Sequence, residues 1–308
     1  MSVLPTQRDA GALKFAGLIV LVAAIQTSWL SPPAQAAWPH NPYSGNVTVC
    51  GATGLQDSPG ACSDGAGCVI VTWEDGRAGG GNKIYGQRIS AAGVALWTPD
   101  GVALCPAGTN DENVPVVVSD GAGGAIVAWQ DLRTGTNYDI YAQRVGPTGL
   151  LIWGTAGVGL CTQINGQFSP TICSDGAGGA IVAWVDSRSG DEIYGTRVTA
   201  AGSPNWTPNG VPICAFTGNQ ESPKVAPDGA GGALVVWADY RSGGFSDVYA
   251  QRLTSGGAAQ WTSNGVGVCT FTGDQYNGHI VPTSGAVRSS SGTTPAMGAP
   301  TSTFTLNP

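Results

Sequence analysis

The sequence predicts an all-β fold built from a repeat of about 55 residues. The same order of features occurs four times: an Asp-Gly turn, an apolar run that ends in W-x-D-x-R, and a second run that ends in Arg. The marker tryptophan recurs at intervals of 56, 55 and 53 residues, at Trp73, Trp129, Trp184 and Trp237. A period of this size is typical of solenoids, propellers and similar arrays.

Each unit is predicted to contain short strands and no helix. The first strand, "SPKVAP" in the fourth unit, leads into an Asp-Gly turn whose glycines suit the positive φ of a tight hairpin. The second, "GGAIVAW", is β-branched, apolar and too short for a helix, and the third, "DIYAQRV", alternates apolar and polar residues. Further along, "AAQWTSNGVGVC" predicts a strand around Trp261, an Asn-Gly turn and another short strand.

Four antiparallel strands per unit, joined by short turns, predict a β-propeller of four-stranded blades. Independent sandwich domains are disfavoured, because about 55 residues bury too little apolar surface to be stable alone. The two tryptophans of a unit, such as Trp129 and Trp153, are expected to fill the space between blades. The chain holds about four units and the start of a fifth, so the propeller is predicted to be incomplete, although four blades can also close a small ring.

Residues 1–36 are predicted to be a signal peptide for export. Arg8 and Lys14 precede the apolar run "FAGLIVLVAAI", and Ala34 and Ala36 offer small residues for cleavage. The alternative is an uncleaved anchor, since the run with its flanks approaches the length of a membrane span. In both cases the repeats, residues 37–287, are expected to be secreted, extracellular or at the cell surface, with no other membrane contact.

Residues 288–308 have the Ser/Thr/Pro/Gly composition of a linker or stalk. The repeat, however, places a fifth marker tryptophan near position 292, where the chain has Gly292. A shift of the reading frame by one base lets the codons of Ser289 to Gly298 encode "VIVWDDSRNG", close to "IVAWVDSRSG" in the third unit. We therefore predict that residues 288–308 are a frameshifted repeat that forms a disordered tail. The nucleotide sequence of the gene tests the frameshift.

The composition excludes several classes of function. A net charge of −7 and a pI near 4.6 argue against nucleic acid or an anionic membrane as a partner. Only two histidines occur, His40 and His279, and they are far apart, so neither a Ser-His-Asp triad nor a histidine metal site is supplied. The Asp-Gly turns carry one acid each, which makes Ca²⁺ binding a weak alternative. No cofactor is predicted.

Most charged residues occupy slots that recur in every unit. The arginines fall in two slots, at Arg77, Arg133, Arg188 and Arg241 and at Arg88, Arg144, Arg197 and Arg252. The first set follows Asp75, Asp131, Asp186 and Asp239 at a distance of two residues. These acids and arginines are interpreted as ion pairs or turn caps of the framework, and a ring of ligand-binding guanidinium groups is the alternative.

A sialidase-type site is poorly supported by the tyrosines. One slot holds Tyr85, Tyr141, Tyr194 and Tyr249, and the others, Tyr43, Tyr138, Tyr240 and Tyr276, show no catalytic constellation. Lys83 stands where other units have Asp139, Glu192 or Asp247, which is interpreted as drift at a surface position. No catalytic, cofactor-binding or metal-ligating residue is therefore predicted.

The cysteines recur once per unit, with extra ones in two places. Five share one slot and are expected to be mostly buried small hydrophobes: Cys50, Cys105, Cys161, Cys214 and Cys269. Two units add a cysteine twelve positions on, which suggests the disulfides Cys50–Cys62 and Cys161–Cys173 in an exported protein. Cys68 is an alternative partner for Cys62.

The pattern "SDGAGGAIVAWxDxRxG…DIYAQR", over residues 45 to 287, resembles repeats in large secreted bacterial proteins, mostly uncharacterised, that are thought to form propeller-like domains. The resemblance implies an extracellular binding or structural module. The leading expectation is thus a non-catalytic β-propeller, not an enzyme, that binds a protein or glycan through the loops at one end or serves as a spacer. Binding is expected on the "xDxRxG" and "QxxP" loops, which vary most between units. The alternative is an extracellular sialidase-like glycoside hydrolase or lyase.

Overall fold

The computed structural model describes residues 46–106, 110–283, 286–292 and 303–306. The predicted signal peptide, residues 1–36, lies outside them. Every regular element in the described residues is a β-strand. No helix among them has the length and apolar character needed to cross a membrane.

Nineteen strands of the described chain form five antiparallel sheets in chain order. Sheet 1 contains β1 (Gln56–Ser63), β2 (Val69–Asp75), β3 (Lys83–Ile89) and β4 (Val102–Ala103). Sheet 2 contains β5 (Glu112–Ser119), β6 (Ala125–Asp131), β7 (Asp139–Val145) and β8 (Val158–Cys161). Sheet 3 contains β9 (Gln167–Ser174), β10 (Ala180–Asp186), β11 (Glu192–Val198) and β12 (Val211–Cys214).

The last two sheets follow the same order. Sheet 4 contains β13 (Gln220–Pro227), β14 (Ala233–Asp239), β15 (Asp247–Leu253) and β16 (Val266–Cys269). Sheet 5 has three strands among the described residues, β17 (Tyr276–Thr283), β18 (Ala286–Gly292) and β19 (Thr303–Leu306). The predicted all-β propeller of four-stranded antiparallel blades is confirmed. The domain boundaries and the frameshift of residues 288–308 stay predictions.

The first strand of each sheet is the innermost. β1 packs on β5, β5 on β9, β9 on β13, and β13 on β17, so these strands surround a common axis. A cavity of about 260 Å³ lies between the inner strands of sheets 1, 2 and 3, lined mostly by apolar groups that include Pro115, Val116 and Ile172. The other strands of each sheet follow outward from the axis.

The core of the molecule lies between neighbouring sheets. Trp129 of sheet 2 is fully buried against Ile70 and Ile84 of sheet 1, and Trp184 packs in the same way on sheet 2. The second strands of sheets 2, 3 and 4 are buried along their whole length, which explains their continuous apolar sequences. The expectation that the marker tryptophans fill the space between blades is therefore confirmed.

The second tryptophan of a unit interlocks with a glycine of the next sheet. The Nε1 of Trp153 donates to the carbonyl of Ala200 at 3.1 Å, and its ring lies over Gly202. Gly202 has φ of +86°, and a Cβ there would lie 2.8 Å from the indole, so only glycine fits. The same pairing joins Trp97 to Gly149 and Trp206 to Gly257.

The segment around Trp261 differs from the prediction of a strand. Only an isolated bridge, Leu253 to Ala259, precedes it, and the fourth strand begins at Val266. The reason is that the backbone N–H of Trp261 donates to the side chain of Gln251 at 2.9 Å instead of to a neighbouring strand. The tryptophan therefore lies in a side-chain-supported turn.

The two predicted disulfides are wrong, because all eight cysteines are free. Cys161 contacts Asp186 at one end of β10, whereas Cys173 pairs with Ile181, five residues away on that strand. Five residues of strand span about 17 Å, far beyond the roughly 7 Å Cα separation that a disulfide tolerates. The same offset separates Cys50 from Cys62, and the alternative bridge to Cys68 is not formed either.

Candidate functional site at the axial mouth

The motif W-x-D-x-R forms a hydrogen-bonded clamp at the end of each second strand. In sheet 3 the Nε1 of Trp184 donates to Asp186 at 2.9 Å, and Arg188 donates to both oxygens of that carboxylate at 2.8 and 2.5 Å. Arg188 Nη2 also lies 3.2 Å from Sγ of Cys161 in sheet 2. Each clamp therefore forms a bidentate, charge-assisted pair within its own sheet, and in sheet 3 the same arginine reaches the preceding sheet through the cysteine sulfur.

The predicted ion pair is present in each of the four repeats, at Asp75–Arg77, Asp131–Arg133, Asp186–Arg188 and Asp239–Arg241. Each guanidinium also lies 3.5 to 4.0 Å from the centroid of a third-strand tyrosine ring. Burial acts to raise the pKa of Asp186, but hydrogen bonds from Arg188 and Trp184 outweigh it and lower that pKa overall. These acids are ionised and already fully engaged.

The second arginine of each unit is engaged in the same manner. Arg144 binds Asp120 at 2.9 Å and donates to the carbonyl of Ala200 in sheet 3 at 3.0 Å. The equivalent pairs are Arg88–Asp64, Arg197–Asp175 and Arg252–Asp228. None of these eight repeat arginines is free to hold a ligand carboxylate, so the alternative of a ligand-binding guanidinium ring is not supported.

The junction of sheets 1 and 2 has its own ion pair. The Nζ of Lys83 lies 3.3 Å from Glu112 and 2.6 Å from the carbonyl of Asn110. Glu112 stands in the slot that holds Gln167, Gln220 and Gln275 in later sheets. The Lys83 side chain is only 12% exposed, so the interpretation as a drifting surface position is wrong.

Among the described residues, no cation forms an ion pair with the acids in the Lys83 slot of later sheets. Burial, together with the charge of Asp131 on the neighbouring strand, raises the pKa of Asp139 to about 6. Burial likewise raises the pKa of Glu192 and of Asp247. An acid without an ion-pair partner thus recurs at three junctions, buried at Asp139 and Asp247 and half-buried at Glu192, and a Lys–Glu pair takes its place at the first.

Three potential metal ligands meet at the same junction. The ligand atoms of Cys105, Glu112 and Asp131 lie within 4.8 Å of one another and are buried. The Nη2 of Arg133 already supplies a positive charge, at 2.6 Å from Asp131 and 3.3 Å from Cys105. Burial, with the charge of Glu112, raises the pKa of the Cys105 thiol to about 11. A protonated thiol and an arginine-bound carboxylate are poor ligands, so we interpret this cluster as part of the clamp.

The repeat symmetry is broken most strongly where the inner strands begin. The second residue of the inner strand, directly after its first Gln or Glu, differs in each of the first four sheets. It is Asp57, Asn113, Phe168 or Glu221, and each of them is half-buried or exposed. These residues stand at one end of the axis. Together with Glu74 and Tyr138 they form what we call the axial mouth (Asp57, Glu74, Asn113, Tyr138, Phe168 and Glu221).

Glu74 connects two sheets at the axial mouth. Its slot in W-x-D holds Gln130, Val185 or Ala238 in the other units. Its two oxygens accept hydrogen bonds from the backbone N–H of Val114 at 2.8 Å and from the side chain of Asn82 at 3.2 Å. The carboxylate is therefore fixed in position while it stays half-exposed.

The hydrogen-bond chain continues through Asn113 to two aromatic rings. With its amide nitrogen 3.2 Å from Glu74, Asn113 accepts a hydrogen bond from the Tyr138 hydroxyl at 3.0 Å. The rings of Tyr138 and Phe168 meet edge to face, with centroids 6.1 Å apart. Polar and aromatic groups from sheets 1, 2 and 3 thus form one continuous surface.

The inner strands are strained at the mouth. Each of the first four has a register shift, and the residue within it has φ between +50° and +54°: Ser58, Val114, Ser169 and Ser222. For the β-branched Val114 this conformation is a genuine outlier. Strained residues of this kind collect at functional sites, where the surrounding structure holds them. Among the residues that the structure describes, no cationic side chain forms an ion pair with Asp57, Glu74 or Glu221.

Sequence reasoning located the binding region but assigned no role to an individual residue. The xDxRxG and QxxP loops were predicted to bind because they vary most between units, and they contain most of the axial mouth: Glu74, Asp57, Phe168 and Glu221. Tyr138 was not selected, because the sequence shows no evident catalytic constellation for it. In the structure it contacts Asn113 of its own sheet and Phe168 of the next sheet.

No protein-family model and no curated protein matches the chain. Among solved structures it is similar to an endo-1,4-β-xylanase from Bacteroides thetaiotaomicron, with 11% identity, a TM-score of 0.43, and coverage of 77% of this chain and 84% of that one. An α-L-arabinofuranosidase from Lactobacillus brevis has 8% identity, a TM-score of 0.44, and coverage of 82% and 90%. A Penicillium chrysogenum α-L-arabinanase complexed with arabinobiose has 13% identity, a TM-score of 0.45, and coverage of 76% and 77%.

These similarities contradict the prediction of a non-catalytic binding or spacer module, and with it the statement that the chain is not an enzyme. The three matched structures bear the names of glycan-degrading enzymes. The non-catalytic interpretation is therefore set aside. Identities of 8 to 13% and TM-scores below 0.5 do not assign an activity to this chain, which has to be argued from its own residues.

Proposed function

We propose that this chain is an extracellular glycoside hydrolase whose active site is the axial mouth. The observation that carries the proposal is the local loss of symmetry, since these positions differ among sheets within a framework that repeats. Glycoside hydrolysis generally requires two carboxyl groups on either side of the bond, one as acid and one as base or nucleophile. Asp57 on β1 and Glu221 on β13 can supply this pair, because neither is bound to an arginine in the described contacts.

The rest of the mouth has roles that suit a sugar. Tyr138 and Phe168 offer aromatic surface to the apolar face of a pyranose or furanose ring. Asn82 and Asn113 provide amide groups that can exchange hydrogen bonds with hydroxyls. Glu74 holds Asn82 and the Val114 backbone in place, so we assign it a positioning role.

The charge distribution favours a neutral glycan as substrate. The chain has a net charge of −7, and three carboxylates stand at the mouth. The repeat arginines are all bound to aspartates, so none can neutralise a sialic or uronic acid. We therefore do not expect sialic acids or uronates as substrates, so the proposed enzyme is neither a sialidase nor a uronate lyase.

Secretion is part of the proposal. It is supported by the charged, apolar and small-residue order of residues 1–36 and by the resemblance to repeats of secreted bacterial proteins. Polymeric glycans are degraded outside the cell when they are too large to enter it. An export signal therefore suits this substrate class.

The test is reducing-sugar release from a panel of neutral polysaccharides, with the wild-type chain and the variants Asp57→Asn and Glu221→Gln. Each substitution should lower kcat/KM by at least about 100-fold, because an essential acid or base is removed. A substrate with an activated leaving group should restore kcat in the variant that lost the acid, and azide should restore it in the variant that lost the base or nucleophile. Asp100→Asn, in the outer turn of sheet 1 where sheets 3 and 4 already have Asn209 and Asn264, is the matched control.

Three outcomes would refute the proposal. One is wild-type protein that releases no sugar from any substrate of the panel. Another is full activity in both Asp57→Asn and Glu221→Gln. The third is an unsaturated product from uronate polymers, which would show that the enzyme cleaves by elimination and not by hydrolysis.

A further inference from the structure

Phenylalanine is concentrated at the end of the molecule that carries the axial mouth. The chain has six phenylalanines, and three of them are exposed on loops around sheet 4: Phe216, Phe245 and Phe271. Their exposed fractions are 42%, 52% and 74%. A fourth, Phe168, belongs to the mouth itself. A group of large apolar side chains left in contact with water marks an interaction site.

Hydrogen bonds join the three loops that carry these rings into one surface. The loops connect β12 to β13, β14 to β15, and β16 to β17, and the mouth lies at the same ends of these strands. The N–H of Tyr240 in the second loop donates to the carbonyl of Asn219 in the first at 2.9 Å. The N–H of Ser246, also in the second loop, donates to Asp274 in the third at 3.0 Å. The three rings are therefore held on a continuous support.

The ring of Phe216 is fixed by the clamp of sheet 4. The guanidinium carbon of Arg241 lies 4.6 Å from the centroid of the Phe216 ring and 3.7 Å from that of Tyr249. Arg241 is itself bound to Asp239 at 2.6 Å. Phe216 thus remains partly exposed while its position is set, which lowers the entropy that a ligand must remove when it binds.

The three rings are not part of the repeating framework. The slot two residues after the shared cysteine holds phenylalanine on both sides of sheet 4, but other residues before sheets 1 and 3: Ala52 and Gln163. The slot two residues before the third strand holds Phe245 in sheet 4, but small or polar residues in the first three sheets: Gly81, Asn137 and Gly190. The propeller therefore folds without these rings, and their presence at sheet 4 needs another reason.

The surroundings of the rings favour a neutral glycan as the ligand. The loops read "AFTGN", "YRSGGFS" and "TFTGD", so short hydroxyl and amide side chains and glycines stand beside the rings. The two charged residues of these loops already have partners, because Arg241 binds Asp239 and Asp274 accepts the N–H of Ser246. A sugar unit has an apolar face and a rim of hydroxyls, which suits an aromatic ring among short polar side chains.

We propose that these three residues, the aromatic ridge (Phe216, Phe245 and Phe271), bind units of a neutral polysaccharide that lie outside the axial mouth. The first loop of the ridge leads directly into β13, which carries Glu221 at the mouth. A glycan chain at the mouth therefore continues over sheet 4, and the substrate is a polymer. The inference rests on the proposed function for the fate of the bound chain, whereas binding by the ridge needs no catalysis.

The test is affinity gel electrophoresis with soluble xylan, arabinan, mannan or mixed-linkage β-glucan in the gel. All proteins carry Glu221→Gln, so that the polymer stays intact. Phe216→Ala/Phe245→Ala/Phe271→Ala should raise the Kd for the retarding polymer at least about 10-fold, because three aromatic contacts are lost. The corresponding triple tyrosine variant keeps the rings and should stay within about twofold of its parent.

Two further variants guard the result. Ile164→Ala removes an exposed aliphatic side chain from the loop between β8 and β9 and is the matched control, with no change in Kd expected. Phe245→Ala/Phe271→Ala leaves the contact of Phe216 with Arg241 intact, so it carries the test if the triple alanine variant does not fold. Urea unfolding shows whether each variant folds as its parent does.

The outcomes separate the ridge from the proposed catalysis. No retardation by any of the four polymers would overturn the ridge, as would equal retardation of the alanine variants and their parent. A dimer in sedimentation that the alanine variants abolish would assign the rings to a protein interface and would overturn it too. Ring-dependent binding by a wild-type protein that releases no sugar would support the ridge and refute the hydrolase. Hydrolysis with ring-independent binding would refute the ridge alone.

Discussion

The clamps between sheets and the axial mouth use carboxylates in opposite ways. At a clamp, Asp186 is buried and holds both Arg188 and Trp184, so the charge has fixed partners. At the mouth, Asp57 and Glu221 reach solvent and have no cation in the described contacts. The acids of the clamp slot therefore stabilise the ring, whereas Asp57 and Glu221, which break the repeat, are available to a ligand.

Breaking one clamp should give the largest effect on stability. Asp186→Asn should lower the free energy of unfolding by about 3 kcal/mol or more, because Arg188 loses its charge partner in a largely buried site. Urea unfolding monitored by tryptophan fluorescence measures this change. Asp191→Asn, whose partner is the Ser187 hydroxyl, should stay within about 0.5 kcal/mol of wild type. Equal losses in the two variants would mean that the clamp does not differ from a loop contact.

Removing an unpaired acid should stabilise the protein in a pH-dependent way. The pKa of Asp139 is about 6 in the folded chain against an ordinary value of 3.8, so the folded state resists ionisation. The contribution of Asp139 to the free energy of unfolding should therefore fall as pH rises from about 4 to 6 and then level off. Asp139→Asn should add up to about 3 kcal/mol at pH 7, from roughly two pKa units, and almost nothing at pH 4. A gain that is the same at both pH values would contradict the assignment.

The first junction can be converted to the pattern of the others. Glu112→Gln should cost about 2 kcal/mol, because Lys83 loses its partner, and Lys83→Asp should cost a similar amount, because two acids then meet. The double variant has the acid and glutamine of later sheets and should recover at least about 1 kcal/mol of the summed loss. A double-mutant cycle by urea unfolding tests this. Additive losses would show that the two residues are independent.

Relieving strain at the mouth should have the smallest effect. Val114 has φ of +54°, and glycine adopts this conformation without the clash of a Cβ. Val114→Gly should therefore raise the free energy of unfolding by about 0.5–1 kcal/mol, since the left-handed conformation costs a branched residue about 1–2 kcal/mol. Val116→Gly, on the same strand but outside the left-handed region, should lower stability instead. A loss in both variants would show that Val114 is not strained.

The fold was predictable because the same order of strands and turns recurs several times along the sequence. The Asp-Gly turns, the alternation in "DIYAQRV" and the marker tryptophans each recur, so strands and blades could be placed by comparison within the chain. The strand expected around Trp261 failed because the side chain of Gln251 accepts the backbone hydrogen bond that a strand partner would accept. The local sequence pattern does not show whether a backbone N–H will donate to a side chain or to the carbonyl of a neighbouring strand.

The variable loops of the site were predictable, but the roles of its residues were not, because most of its contacts cross between sheets. Glu74, Tyr138 and Phe168 belong to three different units, and the bulge in β5 places the N–H of Val114 against Glu74. The disulfides failed for a related reason. Twelve residues along the chain suggest proximity for Cys161 and Cys173, but the two cysteines lie on different strands, beside opposite ends of β10.

The tryptophan and glycine interlock also bears on how such a chain changes over generations. Each unit carries both halves, a tryptophan such as Trp153 that projects onto the next unit and a glycine such as Gly149 that accepts one from the previous unit. Recombination between identical segments of the gene can therefore add or delete a whole unit without leaving an internal tryptophan unmatched. Diversification can then proceed in the few slots at the axis, while copy number varies in the framework.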